Sequence, residues 1–184
     1  MAVNKVYVSA NQLLDDSFRL ARKIYEDGFH PDFLLGLWRG GTPPGIAIHE
    51  FFRMKKLDPY HTSIKTQSYT GIEEQSENIE IKGLGHVIDR CDADENMLIV
   101  DDVFDTGHTV DALIKEIKKL ARRNTPNIRV AVIYYKPTKT LVDFKPDYHL
   151  RTTEDWVVFP HELEGLSKEE IMEKNKYVYE VLFG

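Results

Sequence analysis

Residues 97–109 read MLIVDDVFDTGHT, and this stretch decides the fold. Met97-Leu98-Ile99-Val100 is a continuous apolar run, the mark of a strand buried on both faces. Asp101 and Asp102 follow, then a polar turn through Gly107. From Thr109 to about Arg123, Val110, Leu113, Ile114, Ile117 and Leu120 recur along one helical face. A buried strand therefore passes through an acidic, glycine-containing turn into an amphipathic helix.

The same alternation extends outward. Upstream, Phe33-Leu34-Leu35-Gly36-Leu37 is a second short apolar run. It leads into Arg39-Gly40-Gly41, and a helix from about Pro43 to Arg53 has a proline pair near its first turn. Before it, residues 9–27 carry Leu13, Leu14, Phe18, Ala21, Ile24 and Tyr25 at helical spacing, with Ser9 or Asn11 as cap and Gly28 as stop. Residues 61–68 alternate like a strand, and the polar stretch from Tyr69 to about Gly85 reads as a mobile loop or small flap. Downstream come a strand at Arg129–Tyr135 and short segments around Tyr148 and Trp156–Phe159. A last helix spans about Lys168–Tyr179, where Ser167 and Glu170 form a capping-box pattern. Strands alternating with helices predict an α/β fold with a mainly parallel sheet, which binds ligands at the carboxyl ends of its strands. Both glycine-rich turns fall there. With no repeat, low-complexity tract or linker, residues 1–184 read as a single domain.

Composition removes several classes. A net charge of −6 argues against a general nucleic-acid binder. No apolar run approaches the roughly 20 residues that span a bilayer, and the N-terminal stretch shows no secretory signal. The single Cys91 forms no internal disulfide, in keeping with a cytoplasmic location. The G-x-x-x-x-G-K-[ST] pattern of a phosphate-binding P-loop is missing.

The chemistry of 101–109 follows from its residue types. Backbone N–H groups at a helix start, flanked by Thr hydroxyls, form a phosphate cradle, and Gly107 allows close backbone approach. Two carboxylates beside such a cradle would repel a bare anion. They suit a ligand that also offers hydroxyls or a bound Mg²⁺, as a sugar phosphate does. An isolated Asp-Asp pair more often ends a strand and caps a turn; the whole string is what points to a ligand. Lys136 ends a strand at the binding edge as a lone cation in need of a partner, or else snorkels at the surface. Trp156 is either a stacking surface for a planar ring or plain core.

LIVDDVFDTGHT resembles the phosphoribosyl pyrophosphate motif of type I phosphoribosyltransferases. The resemblance implies that Asp101 and Asp102 bond the ribose hydroxyls, directly or through Mg²⁺ held by way of water. It implies that Asp105, Thr106, Gly107, His108 and Thr109 hold the 5-phosphate, and that Asp105 faces N7 of a purine as general base. His108 fills a variable slot and is assigned no chemistry. Arg39 and Gly40 match the pyrophosphate loop, which often carries a non-proline cis peptide, here Trp38–Arg39. Trp38 departs from the usual small or aliphatic residue there. Ser68-Tyr69 matches the start of the flexible catalytic loop of 6-oxopurine enzymes. The run from Ile133 to Glu162 is similar to the xanthine-guanine branch of the family: Lys-Pro, four residues, Leu-Val-Asp, then a Trp and a later Pro-x-acid. By that likeness Lys136 donates to O6, Trp156 stacks on the ring and the Val157 backbone touches its edge. His161 replaces a common Trp, and Glu162 stands where relatives have Asp, as a support of the base pocket or a second metal ligand.

The implied protein is a type I phosphoribosyltransferase-like α/β enzyme with a small hood and a flexible loop. It would transfer 5-phosphoribosyl from phosphoribosyl pyrophosphate to N9 of guanine, xanthine or hypoxanthine with Mg²⁺, as a homodimer or homotetramer, without nucleic-acid or membrane partners. A non-catalytic regulator on the same fold and an enzyme for another base remain the alternatives. Against the first stands the intact Asp105; against the second, Lys136 would meet an adenine amine donor to donor.

Overall fold

Apolar strands and one-sided helices generate the α/β architecture of the computed structural model, which describes residues 4–69 and 78–184. In chain order the elements are β1 (Lys5–Tyr7), α1 (Ala10–Glu26), β2 (Phe33–Trp38), α2 (Thr42–Met54), β3 (Tyr60–Tyr69), β4 (Asn78–Lys82), α3 (Gly85–Ile88), β5 (Asn96–Phe104), α4 (His108–Ala121), β6 (Asn127–Tyr135), β7 (Tyr148–Thr152), β8 (Trp156–Val158), α5 (Lys168–Lys174) and α6 (Lys176–Phe183). They form two compact units. The larger comprises Leu14–Glu154; the smaller combines the N-terminal residues through Leu13 with Asp155–Gly184.

Among the described residues of the larger unit, one six-stranded sheet has the order β4-β3-β2-β5-β6-β7. All neighbours are parallel except β3 and β4. Strand periodicity sends Phe33, Leu35, Leu37, Met97, Ile99, Val130 and Val132 to one face, where they pack with Leu84 and Val87 at α3 and Val110, Leu113 and Ile117 of α4. Leu34 and Gly36 face the other way and meet Gly45 of α2, and Tyr25 of α1 packs on Phe51 and Phe52 of α2. Helices on both faces make the central strands apolar throughout, which is why their sequences show runs and not alternation.

Three segments differ from the sequence reading. β5 does not stop at Val100: its ladder with β6 continues through Asp101↔Val132 to Phe104↔Tyr135, so the Asp pair lies inside the strand. The polar stretch after Tyr69 is not all loop, because β4 pairs antiparallel with β3, Thr66 opposite Ile81. The short alternation Asn-Ile-Glu-Ile-Lys was masked by the acidic composition around it. The last helix is two. Asn175 leaves helical geometry at φ −160°, ψ 98°, and its side chain accepts the Val178 N–H to start α6, while the Ser167–Glu170 capping box opens α5 as expected.

In the smaller unit β1 and β8 pair in parallel, Lys5 opposite Trp156. β1 was not anticipated, being three residues long. Among the described residues, no helix is long and apolar enough to cross a membrane.

Candidate functional site

β2, β5 and β6 are parallel, so their carboxyl ends share one edge, and the loops after them bring Arg39–Gly41, Asp105–Gly107 and Lys136 together there. The Trp38–Arg39 peptide is cis, as the resemblance implied. Trp38 and Arg39 are exposed. Gly41 N–H donates to the Leu37 carbonyl at 2.9 Å, which folds the loop back toward β2. The glycine doublet is a steric requirement. A Cβ on Gly40 would overlap the Asp102 carboxylate, and one on Gly41 would overlap the Val100 carbonyl. Gly41 was not among the residues singled out, although the doublet carried the signal.

Asp102 is buried and Asp101 half-buried. The Asp102 N–H donates to Asp101 Oδ1 at 3.0 Å. Desolvation, and then the neighbouring Asp102 charge, push the Asp101 carboxyl well above the usual carboxylate range, and backbone N–H contacts from Asp102 and Gly41 only partly oppose this. Two adjacent carboxyl groups are a hard-oxygen donor set suited to a cation such as Mg²⁺.

The turn after β5 is set by Gly107, which caps α4 in the left-handed region at φ 83°. As the N-cap, Gly107 offers no side-chain acceptor to that helix, so the first-turn N–H groups beyond His108 form the start of an anion cradle. The His108 N–H lies 3.4 Å from Thr106 Oγ1; Thr109 lies half-buried in the first turn of α4. Below the turn, Phe104 packs edge-on against Tyr135 and Phe144.

Lys136 is not the lone cation expected from sequence. It is buried, and its Nζ lies 3.1 Å from Asp105 Oδ2. The physical reason is that a buried ammonium needs a counter-charge, and the adjacent parallel strands supply one from 31 residues upstream. The Asp105 side chain remains 41% exposed. This edge thus holds a wetted carboxylate, a desolvated ammonium donor and a helix start. A proton acceptor and a fixed hydrogen-bond donor side by side can read two neighbouring polar atoms of a planar heterocycle.

In the smaller unit, Trp156 is partly exposed and Val157 buried. The indole sits under Lys5 Nζ, 5.1 Å from the ring centroid, and against Gly165, where a Cβ would meet the ring at 2.9 Å. Glu162 has a local partner: its Oε2 accepts the Phe159 N–H at 3.1 Å. His161 stacks on Phe159. Lys174 Nζ donates to the carbonyls of Phe159 and Glu162, tying the turn to α5. Ser68 and Tyr69 end β3, paired with Ile79 and Asn78; residues 70–77 of the expected flexible loop lie outside the described residues.

Comparison with known proteins identifies the family. The model of the phosphoribosyl transferase domain matches residues 7–168. The hypoxanthine-guanine phosphoribosyltransferase of Lactococcus lactis is 31% identical over 156 residues, 80% of this chain and 75% of that protein. The xanthine-guanine phosphoribosyltransferase of Desulfotalea psychrophila is 29% identical over 161 residues, 86% of each. A crystal structure of a purine phosphoribosyltransferase from Pyrococcus horikoshii superposes with a TM-score of 0.70 at 31% identity, covering 89% of this chain and 97% of that one.

Proposed function

The chain belongs to the phosphoribosyl transferase family, and we propose that it is a purine salvage enzyme that transfers 5-phosphoribosyl from phosphoribosyl pyrophosphate to N9 of a 6-oxopurine. The observation that carries this reading is the Asp105–Lys136 pair at the carboxyl edge of the sheet, next to the start of α4. A 6-oxopurine presents a proton-bearing N7 beside an O6 acceptor, and the pair offers a base and a donor in the same arrangement.

In this mechanism Thr106, Gly107, His108 and Thr109 hold the 5-phosphate on the N–H groups of the α4 start. Arg39 and Gly40 hold the pyrophosphate, the guanidinium by forked charge-assisted bonds. Asp101 and Asp102 orient the ribose hydroxyls and would hold Mg²⁺, directly or through water; when bound, it neutralises charge on the leaving pyrophosphate. Their negative charge also favours a cation-like C1 as the C1–pyrophosphate bond breaks and N9 bonds to C1. Asp105 takes the N7 proton and Lys136 fixes O6. Trp156 is assigned the stacking surface and Val157 the backbone contact to the base. Partial exposure of the indole supports the first. Ser68 and Tyr69 begin the segment assigned to water exclusion. Glu162 closes its own turn through Oε2, and it is assigned support of the base pocket or a place as second metal ligand. The same reading has the enzyme working in the cytoplasm as a dimer or tetramer, the latter checked by sedimentation.

The test is a product assay with phosphoribosyl pyrophosphate, Mg²⁺ and guanine, xanthine, hypoxanthine or adenine in turn. Nucleoside monophosphate should form with at least one oxopurine and not with adenine. Absence of product from every oxopurine refutes the reading.

A further inference from the structure

The Asp105–Lys136 pair joins two side chains, and a second link joins the backbones of the same two residues. Thr140, half-buried in the turn after β6, places its Oγ1 3.1 Å from the Lys136 carbonyl and 3.3 Å from the Asp105 carbonyl. The first contact closes a local turn, four residues apart. The second spans 35 residues and ties the β6 turn to the phosphate turn. One hydroxyl has one proton, so the two carbonyls share it. Around it the turns are stitched further: the Lys136 N–H donates to the Phe104 carbonyl at 2.9 Å and the Leu141 N–H to the Thr106 carbonyl at 2.9 Å. Val142 presses on Gly107, where an added Cβ would come within 2.5 Å of Val142 Cγ2.

We infer that Thr140 is a positioning residue, whose hydroxyl sets the separation of the proton acceptor Asp105 and the donor Lys136 and so the pitch at which a base is read. The inference rests on the function proposed above. The backbone bonds of Leu141 and Lys136 survive any change at Thr140, so the turn keeps its fold without the hydroxyl. What it loses is the bond that fixes the Asp105 carbonyl, and with it the direction in which the carboxylate leaves the chain. A lateral error at that point is felt by the base and its proton, whereas the phosphate lies on N–H groups of α4 that Thr140 does not touch.

Thr140→Val removes the hydroxyl at nearly constant volume, and Thr140→Ser restores it. Steady-state kinetics on wild type and both variants should show kcat/KM for oxopurines lower by about 3- to 10-fold in Thr140→Val, the worth of one neutral hydrogen bond. KM for phosphoribosyl pyrophosphate should stay within about twofold, and Thr140→Ser should return to near wild type. Thr140→Ala gives the same comparison if the valine variant does not fold. Wild-type base kinetics in the hydroxyl-free variant, equal losses in the serine variant, or a parallel rise in KM for phosphoribosyl pyrophosphate would each overturn the assignment. A wild-type protein inactive with every oxopurine sinks the proposed function instead. In that event, amide exchange decides the clamp: protection of residues 105–107 should fall in Thr140→Val and recover in Thr140→Ser, and unchanged protection rejects it.

Discussion

Replacing Lys136 by Met separates what the ammonium does for stability from what it does for a base. Lys136 is 5% exposed and its Nζ lies 3.1 Å from an Asp105 carboxylate whose side chain is 41% exposed. Methionine keeps an unbranched chain of similar length and removes a buried charge. Exchanging a buried ion for an apolar side chain is often neutral or stabilising, provided the partner is not stranded. Asp105 is not stranded, because water reaches it. Thermal unfolding should therefore shift by no more than about 1 kcal/mol in either direction. Activity should behave otherwise. A lost hydrogen bond from a charged donor to O6 costs about 1.5–3 kcal/mol, or about 10- to 150-fold in kcat/KM for guanine, xanthine and hypoxanthine alike. The assay follows nucleotide formation for each base at saturating phosphoribosyl pyrophosphate, with Tm measured on the same preparations. Wild-type kcat/KM for every oxopurine refutes the reasoning. So does a loss of activity that tracks a collapse in Tm, which would make Lys136 a structural ion.

Asp105→Asn should keep phosphoribosyl pyrophosphate binding and lower turnover by roughly 10²–10⁴-fold, the range for a lost general base, and unchanged turnover where chemistry limits the rate removes Asp105 from the mechanism. Asp101→Asn with Asp102→Asn should weaken the Mg²⁺–phosphoribosyl pyrophosphate complex in calorimetric titration while circular dichroism stays native; wild-type affinity would reduce the pair to a strand feature. Tyr148 gives a pH prediction: burial and its bond to Asp27 push the phenol from 10.0 to about 12. The native state then holds this proton more tightly than the unfolded chain, so its contribution is complete below pH 10 and is lost as pH rises from 10 to 12. Chemical unfolding across that window should show a loss that Tyr148→Phe reduces, and identical slopes in the two proteins exclude Tyr148 as the cause.

Much of this was legible in the sequence, for identifiable reasons. Buried parallel strands announce themselves as apolar runs, so β2, β5 and β6 were found, and the string from Met97 to Thr109 located the phosphate turn. What was missed depends on partners distant in the chain. The end of β5 could not be read because Asp101 and Asp102 look like a strand terminator, whereas the β6 ladder carries the strand on to Phe104. β4 escaped because five residues of weak alternation sit in an acidic stretch. The Asn175 break was invisible because the apolar spacing runs straight through it. Thr140 carried no signal at all, since a threonine in a turn after Lys-Pro-Thr-Lys is ordinary until the Asp105 carbonyl is seen beside it.

The Asp105–Lys136 pair has a cause in register. β5 and β6 are neighbours and parallel, and their last rung is Phe104 with Tyr135. The next residue on each strand is therefore Asp105 on one and Lys136 on the other, level with each other at the edge of the sheet. The Lys136 N–H bonded to the Phe104 carbonyl extends the ladder by that one step. A slip of one residue in either strand would turn its side chains to the opposite face and place Phe104 or Tyr135 where the charge now stands. Such a slip is opposed by the whole core, because Met97, Ile99, Val130 and Val132 would leave the face they share with α4. The packing of the sheet's interior thus sets the spacing of a carboxylate and an ammonium at its rim. A functional pair built this way needs no stabilising energy of its own, and a lysine that is costly to bury can be kept for the ligand it reads.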